Sequence, residues 1–169
     1  YQAETHETFS QNPYQHLYEA IESVMASWGN ERAVYYRKVN QIHDIKGTAV
    51  NVQTMVFGNY DDHSATGVCF SRNPATGKKE LFGEILWKAQ GEDIVAGTHT
   101  PHPIQSLISK NPELYEQLHQ LVYQLENHYK DMQDIEFTIE SNQLYLLQTR
   151  SGKRTPQAAL KINRDLFDE

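Results

Sequence analysis

The chain has 169 residues, a length that suits one domain or two small lobes and can bury a core without staples. A single cysteine, Cys69, excludes an internal disulfide framework and suits a reducing, cytoplasmic setting. Lys and Arg total 15 against 22 for Asp and Glu, a formal charge of −7, which excludes binding nucleic acid through bulk charge; any polyanion must be held by a few local groups.

No apolar run reaches the roughly 18 residues of a membrane span, and no charged-then-apolar signal segment opens the chain. The expected partners therefore include neither nucleic acid nor a membrane. The chain begins at Tyr1 without a methionine and reads as a piece of a longer polypeptide. At 38 % hydrophobic residues with ten tyrosines, it reads as a lobe that keeps one face for a partner domain.

Residues 1–12 have no period and are expected to be a loose segment. From Pro13 the residues Tyr14, Leu17, Tyr18, Ile21, Val24, Met25 and Trp28 fall at helical steps, with Pro13 at the start and Gly29 as a stop. A second helix is predicted over 31–42. The period then changes to two. Strands are predicted over 48–57, 68–72 and 81–88, with a turn at 73–77 and a long loop over 90–103 that has room for a short strand. The apolar stripe Leu114, Leu118, Leu121, Val122, Leu125 and Tyr129 predicts a helix over 112–130. Strands over 133–140 and 144–149 come next, and then a helical tail over 156–167. Helices and strands are mixed without strict βαβ alternation, so the expected fold class is α+β, a mainly antiparallel sheet packed with helices.

The last hairpin carries the most chemistry. In its first strand Ile135, Phe137 and Ile139 point one way, and Asp134, Glu136, Thr138 and Glu140 the other. A two-residue loop sets Glu136 opposite Leu147. A three-residue loop, Ser141 to Gln143 with Asn142 at positive φ, sets Glu136 opposite Gln148 and Asp134 opposite Arg150. The second register gathers the polar groups on one face, where Glu136 and Gln148 can share a hard cation through oxygen and Arg150 can meet phosphate oxygens. The same letters also describe a solvated sheet face with an Asp–Arg pair, the ordinary state of an antiparallel sheet.

Residues 133–140 followed by 147–155 resemble the end of the ATP-grasp nucleotide-binding domain of the pyruvate, phosphate dikinase family. So do residues 51–59, Thr66-Gly67-Val68 with 72–77, and 89–97, all in family order. The resemblance implies that 13–169 form an ATP-grasp subdomain, with ATP as substrate and Mg2+ as cofactor. The family converts ATP, phosphate and pyruvate to AMP, pyrophosphate and phosphoenolpyruvate, through a histidine on a swivelling domain that takes the β-phosphate. The segments for that domain, the pyruvate-binding barrel and the N-terminal ATP-grasp lobe do not appear in this sequence. The implied fragment is therefore inactive alone and works with those parts in a homodimeric parent.

By resemblance, Glu136 and Gln148 are magnesium ligands and Arg150 is the catalytic arginine at the phosphates, with Asp134 beside them. Gln53, Met55 and Val56 match the segment lining the adenine pocket. Thr66 and Gly67 match a small loop over the polyphosphate, where a missing Cβ lets backbone N–H groups approach oxygen. Glu92 matches a carboxylate near the ribose, and Glu84 is a further candidate on the same sheet face. The chain departs from the family pattern at Ala65, which occupies a glycine position and disfavours positive φ. It departs again at His99, which stands where the family has arginine before Thr-Pro. The eight histidines show no zinc spacing apart from His99 and His102, and are expected to be structural or solvated. Two rival readings are a phosphoenolpyruvate synthase or related dikinase, and a non-catalytic protein-interaction module that ignores Mg-ATP.

Overall fold

The computed structural model describes residues 8–96 and 100–168, without the side chains of Val95 and Ala96. The chain divides into two compact units, Tyr1–Thr54 and Met55–Glu169.

The first unit contains α1 (Pro13–Ala26), a 3-10 turn (Ser27–Gly29) and α2 (Glu31–Val39). The Asn12 side chain accepts from the Tyr14 N–H at the start of α1, and Asn30 accepts from Arg32 at the start of α2, so both helices begin at an asparagine cap. The predicted helix to Gly29 tightens into the 3-10 turn after Ala26, and the second helix stops at Val39, short of Ile42. Arg37 lies 3.8 Å over the Trp28 ring and donates to the Trp28 carbonyl at 2.8 Å, which ties α2 back onto the turn. Neither helix has a fully buried residue.

The second unit holds β1 (Ala65–Phe70), β2 (Phe82–Trp87), α3 (Gly91–Ala96), β3 (His102–Pro103), α4 (Ser106–Lys110), α5 (Pro112–Tyr129), β4 (Gln133–Glu140), β5 (Gln143–Ser151) and α6 (Pro156–Asp168). The five strands form one antiparallel sheet in the order β3-β2-β1-β4-β5. With six helices among the described residues of the two units, the fold class is α+β, as expected for an ATP-grasp subdomain.

The predicted strand over 48–57 is absent: those residues carry no strand. Valine and threonine favour extended backbone, but a strand needs a neighbour to receive its N–H and C=O groups. This segment joins no ladder, and the boundary between the two units falls inside it. The strand expected at 68–72 begins three residues earlier, at Ala65, and the loop expected over 90–103 contains the short helix α3 as well as β3.

The clearest element, α5, is explained by its ends and its stripe. Asn111 caps the Leu114 N–H at 3.1 Å, Pro112 takes the first helical position, and Lys130 ends the helix in the left-handed conformation with φ 53°. Leu114, Leu118 and Val122 then pack on the sheet face that presents Ala65, Cys69, Ile85, Ile135, Phe137 and Ile139. Burying each large apolar side chain contributes roughly 1.5–3 kcal/mol, so this layer dominates the stability of the unit. The Cys69 thiol is pushed up by burial, with the Asp134 charge adding to the shift, which suits a core residue. A smaller cluster seats Ala158 and Ile162 of α6 against Met132.

Among the described residues one ion pair is fully inside. Arg72, with no exposed surface, directs Nε and Nη2 to Glu126 of α5 at 3.0 and 2.8 Å, and Nη1 to Asp165 of α6 at 3.3 Å. Ser71 donates to the other Glu126 oxygen. Removing one partner of such a pair leaves an uncompensated buried charge. Arg72→Ala is therefore expected to lower the unfolding free energy by about 3–5 kcal/mol in a urea titration, and Arg72→Met with Glu126→Leu far less. A loss under about 1 kcal/mol for the single variant would mean that the pair behaves as a solvated surface bridge.

Candidate functional site

The hairpin β4–β5 turns through Ser141 and Asn142, both left-handed, with φ 48° and 64°. This is a two-residue turn, and Glu140 lies opposite Gln143, so the three-residue loop expected from the sequence does not form. Its consequence does. A register shift between Glu136 and Phe137 makes Leu147 the extra residue of a β-bulge: Phe137 pairs with Leu146, and Glu136 with Gln148. Beyond the bulge Ile135 pairs with Thr149 and Asp134 with Arg150.

Directly opposed residues share a face, so the ladders define rows across the sheet. One row is Glu84, Val68, Glu136 and Gln148; the next is Phe82, Phe70, Asp134 and Arg150; on the other side lies Leu86, Thr66, Thr138 and Tyr145. Glu136 and Gln148 face each other on adjacent strands, and facing Cβ atoms are typically about 4.5–5.5 Å apart. Glu84 shares their face, but Val68 stands between it and Glu136, a separation of roughly 10 Å at two strand spacings. It is not part of the same donor pair.

Arg150 donates Nε to Asp134 at 2.9 Å, and its Nη2 lies 3.9 Å from a Glu136 oxygen. The hydrogen bond and charge of Asp134 push the guanidinium pKa further up, so Arg150 stays cationic. The Arg150 side chain is 58 % exposed and that of Asp134 is 11 %. An exposed pair of this kind contributes only about 0–1 kcal/mol. Its effect is orientation: the partly buried carboxylate fixes one edge of the guanidinium and leaves the rest toward solvent.

A cavity of about 440 Å³ opens on this side of the sheet. Thr66, Gly67 and Val68 of β1 form its floor with Glu136 and Phe137 of β4; Leu147 of β5 and Gly91, Glu92 and Ile94 of α3 form its sides. Of the residues expected from the sequence, Thr66, Gly67, Glu92 and Glu136 line it. Gln148 and Glu84 share the face in the row of Glu136, and Asp134 and Arg150 in the next row. Met55 is exposed, and neither it nor Val56 lines the cavity; Gln53 belongs to the first unit. Val68, Gly91, Ile94, Phe137 and Leu147 were not expected. The adjacent pair Leu146-Leu147, where the alternation of β5 slips by one, is the sequence signal for the bulge.

Two expectations about β1 need correction. Thr66 and Gly67 lie in a central strand paired on both sides, so they are not in a loop. The absent Cβ of Gly67 accommodates the Phe137 ring, whose Cζ would lie 2.3 Å from a Cβ there. It therefore serves packing on the opposite face of the sheet from Glu136. Ala65 is also extended, opposite Trp87 and Ile139 and wholly buried, so no positive φ is asked of it. The expectation for His99, and hence for its pairing with His102, lies outside the described residues.

The donor set fits a hard cation of a particular kind. Among the described residues no three His, Cys, Asp or Glu side chains gather to hold a metal. One carboxylate and one amide oxygen fit an ion such as Mg2+, which keeps water and takes further oxygens from phosphate. They do not make a protein-only cage.

The segment after the bulge is fastened at its far end by Arg154, which grips Asp131 through two hydrogen bonds of 2.5 and 3.0 Å. Burial alone would raise the Asp131 pKa, but hydrogen bonds from Arg154 and Ser151, the Arg154 charge and the Met132 N–H hold it below its ordinary value of 3.8. A carboxyl depressed on folding stabilises the fold above its unfolded pKa, and that stability is lost as pH falls through the folded one. Stability is expected to decline as pH drops below about 4, with a shallower decline in Asp131→Asn, in urea titrations across pH 2–6. Identical pH profiles for the two proteins would remove Asp131 from the acid transition.

The fold and this face define an α+β sheet subdomain of ATP-grasp type. A family model described as "Pyruvate phosphate dikinase, AMP/ATP-binding domain" matches residues 4–112 and 106–169. The chain belongs to that family. It is 55 % identical over 163 residues to pyruvate, phosphate dikinase of Clostridium symbiosum, covering 96 % of this chain and 19 % of that protein. The corresponding protein of Rickettsia prowazekii (strain Madrid E) is 56 % identical, covering 94 % of this chain and 18 % of the relative. The chloroplastic one of Mesembryanthemum crystallinum is 53 % identical, with 96 % and 17 % covered. The chain thus spans less than a fifth of the length of these relatives. Among the described residues no helix is long and apolar enough to cross a membrane.

Proposed function

We propose that residues 13–169 are the ATP-binding part of a longer cytoplasmic pyruvate, phosphate dikinase, holding Mg-ATP on the polar face of the β1–β4–β5 sheet. The observation that supports this is the pairing of Glu136 with Gln148, with Arg150 on the same face in the next row. The overall reaction converts ATP, phosphate and pyruvate to AMP, pyrophosphate and phosphoenolpyruvate. In it the β-phosphate passes to a histidine on a separate swivelling domain. The N-terminal ATP-grasp lobe closes the site from the other side, and the parent is a homodimer.

We propose a part for each residue. Glu136 and Gln148 offer one oxygen each toward the polyphosphate. Mg2+ bound there neutralises charge on the phosphate oxygens. Asp134 orients Arg150, whose exposed fork meets the phosphate being transferred and stabilises the charge that develops on it. Thr66 and Gly67 lie in the floor beneath the phosphates, and Glu92, on the rim, meets the ribose. The family resemblance alone assigns Gln53, Met55 and Val56 to the adenine, with Met55 as a polarizable surface, since none of the three lines the cavity. Glu84 is an outlying carboxylate of the same face.

In the longer polypeptide, Arg150→Ala is expected to slow phosphate transfer to the histidine by about 2.7–4 kcal/mol while changing nucleotide affinity little. Glu136→Ala is expected to raise the magnesium concentration needed for half-maximal rate. An unchanged transfer rate in Arg150→Ala would remove that role. An interaction module would show no heat and no spectral change on titration with Mg-ATP.

A further inference from the structure

The bulge at Leu147 raises a question of register. The turn at Ser141 and Asn142 closes a regular two-residue hairpin. Continued without the bulge, it would set Glu136 opposite Leu147, Ile135 opposite Gln148 and Gln133 opposite Arg150. Because a slip of one residue exchanges the faces, Gln148 and Arg150 would then leave the cavity face for the side where Ile135 is wholly buried and Gln133 is 2 % exposed. Some interaction must hold the shifted register.

The structure places one such interaction immediately beyond the bulge. Thr149 sits between Gln148 and Arg150 and faces the opposite way. Its hydroxyl donates to the Gln133 side-chain oxygen at 2.8 Å. That oxygen cannot turn elsewhere, because the Gln133 amide nitrogen donates to the Asp131 carbonyl at 2.8 Å. The Gln133 backbone is fixed as well: its N–H donates to the Ser71 hydroxyl at 3.0 Å, and its carbonyl accepts from the Ser71 N–H at 3.0 Å. Ser71 in turn donates to Glu126, the partner of buried Arg72. Further along, the Gly152 N–H donates to the Met132 carbonyl at 2.8 Å, where a Cβ on Gly152 would meet Met132 Cε at 2.7 Å.

We infer that Thr149 is a positioning residue: its bond to Gln133 locks the bulged register of β5 and so assigns Gln148 and Arg150 to the cavity face. The lock is anchored in the interior through Gln133, Ser71 and Glu126, which makes it stiffer than a cross-strand bond on a solvated face. The consequence for phosphate binding rests on the function proposed above; the register claim does not.

The test uses the isotope-labelled chain in solution and reads two things by NMR: the interstrand contact between Glu136 and Gln148, and amide exchange across 147–151. Thr149→Val keeps the branched shape and removes the hydroxyl, leaving a buried acceptor unsatisfied. It is expected to weaken the Glu136–Gln148 contact and to speed exchange of 148–151 by about tenfold relative to 143–146. Thr149→Ser is expected to retain both. Deleting Leu147 removes the bulge and sets Glu136 opposite Gln148 in a regular ladder, so Thr149→Val in the deleted chain is expected to regain the contact. A hydroxyl that merely adds stability would show no such rescue.

Unchanged contact and exchange in Thr149→Val would overturn the lock, and so would failure of the deletion to restore the pairing. Should Thr149→Val not fold, the combined variant decides: a folded chain with the contact supports the lock, and an unfolded one overturns it. No nucleotide enters the measurement. A chain that ignores Mg-ATP sinks the functional reading alone, and a chain whose register is indifferent to Thr149 sinks the lock alone.

Discussion

A strand has two faces and a period of two, so one extra residue exchanges everything beyond it. In this sheet the extra residue is Leu147, and the next three are Gln148, Thr149 and Arg150. With the bulge, the amide and the guanidinium join Glu136 and Asp134 on the cavity side, and the threonine goes to the buried side. Without it, a glutamine and an arginine would be driven toward the layer that α5 packs against. The polar face exists because the two-to-one pairing is there, and the other features of the candidate site depend on that local geometry.

The interior supports this arrangement in two different ways. The apolar layer of Leu114, Leu118 and Val122 against Ile135, Phe137 and Ile139 supplies most of the stability and fixes which side of β4 is dry. The polar network from Arg72 through Glu126 and Ser71 to Gln133 contributes little net stability by comparison, since burying charge carries a desolvation cost. Its effect is directional. It holds the start of β4 in one orientation, and Asp131 with Arg154 fastens the chain leaving β5. Arg150 lies between those two anchor points.

Much of the fold is legible in the sequence where local signals agree. The helix α5 carries an asparagine cap, a first-turn proline and a single apolar stripe, and its boundaries lie within a residue of expectation. Alternation in β4 likewise gives its faces correctly. Signals fail where the outcome depends on a partner. Residues 48–57 have strand composition but no ladder to join. Helix α3 has only six residues; its one hint is Asp93, whose carboxylate accepts from the Gln90 N–H at 2.8 Å. The facing of Glu136 and Gln148 can be read from the sequence only after a register is chosen, and the register is right for another reason than a longer loop. Ser141 adopts positive φ along with Asn142, and the slip occurs at Leu146-Leu147, downstream of the expected place. Gly67 shows the complementary error: a glycine beside a polar face suggests close approach to a ligand, whereas its missing Cβ faces the Phe137 ring.

The proposed function puts a divalent ion carried by a nucleoside triphosphate between Glu136 and Gln148. Manganese can replace magnesium in such a site and broadens the resonances of nearby nuclei, which makes even weak binding visible. Titrating Mn-ATP into the labelled chain, with Mg-ATP as the diamagnetic reference, reads out that position residue by residue. Signals of 136, 148 and 150 are expected to broaden first and to recover when excess magnesium is added. Broadening confined to other acidic surfaces, or none at these three residues, would contradict it.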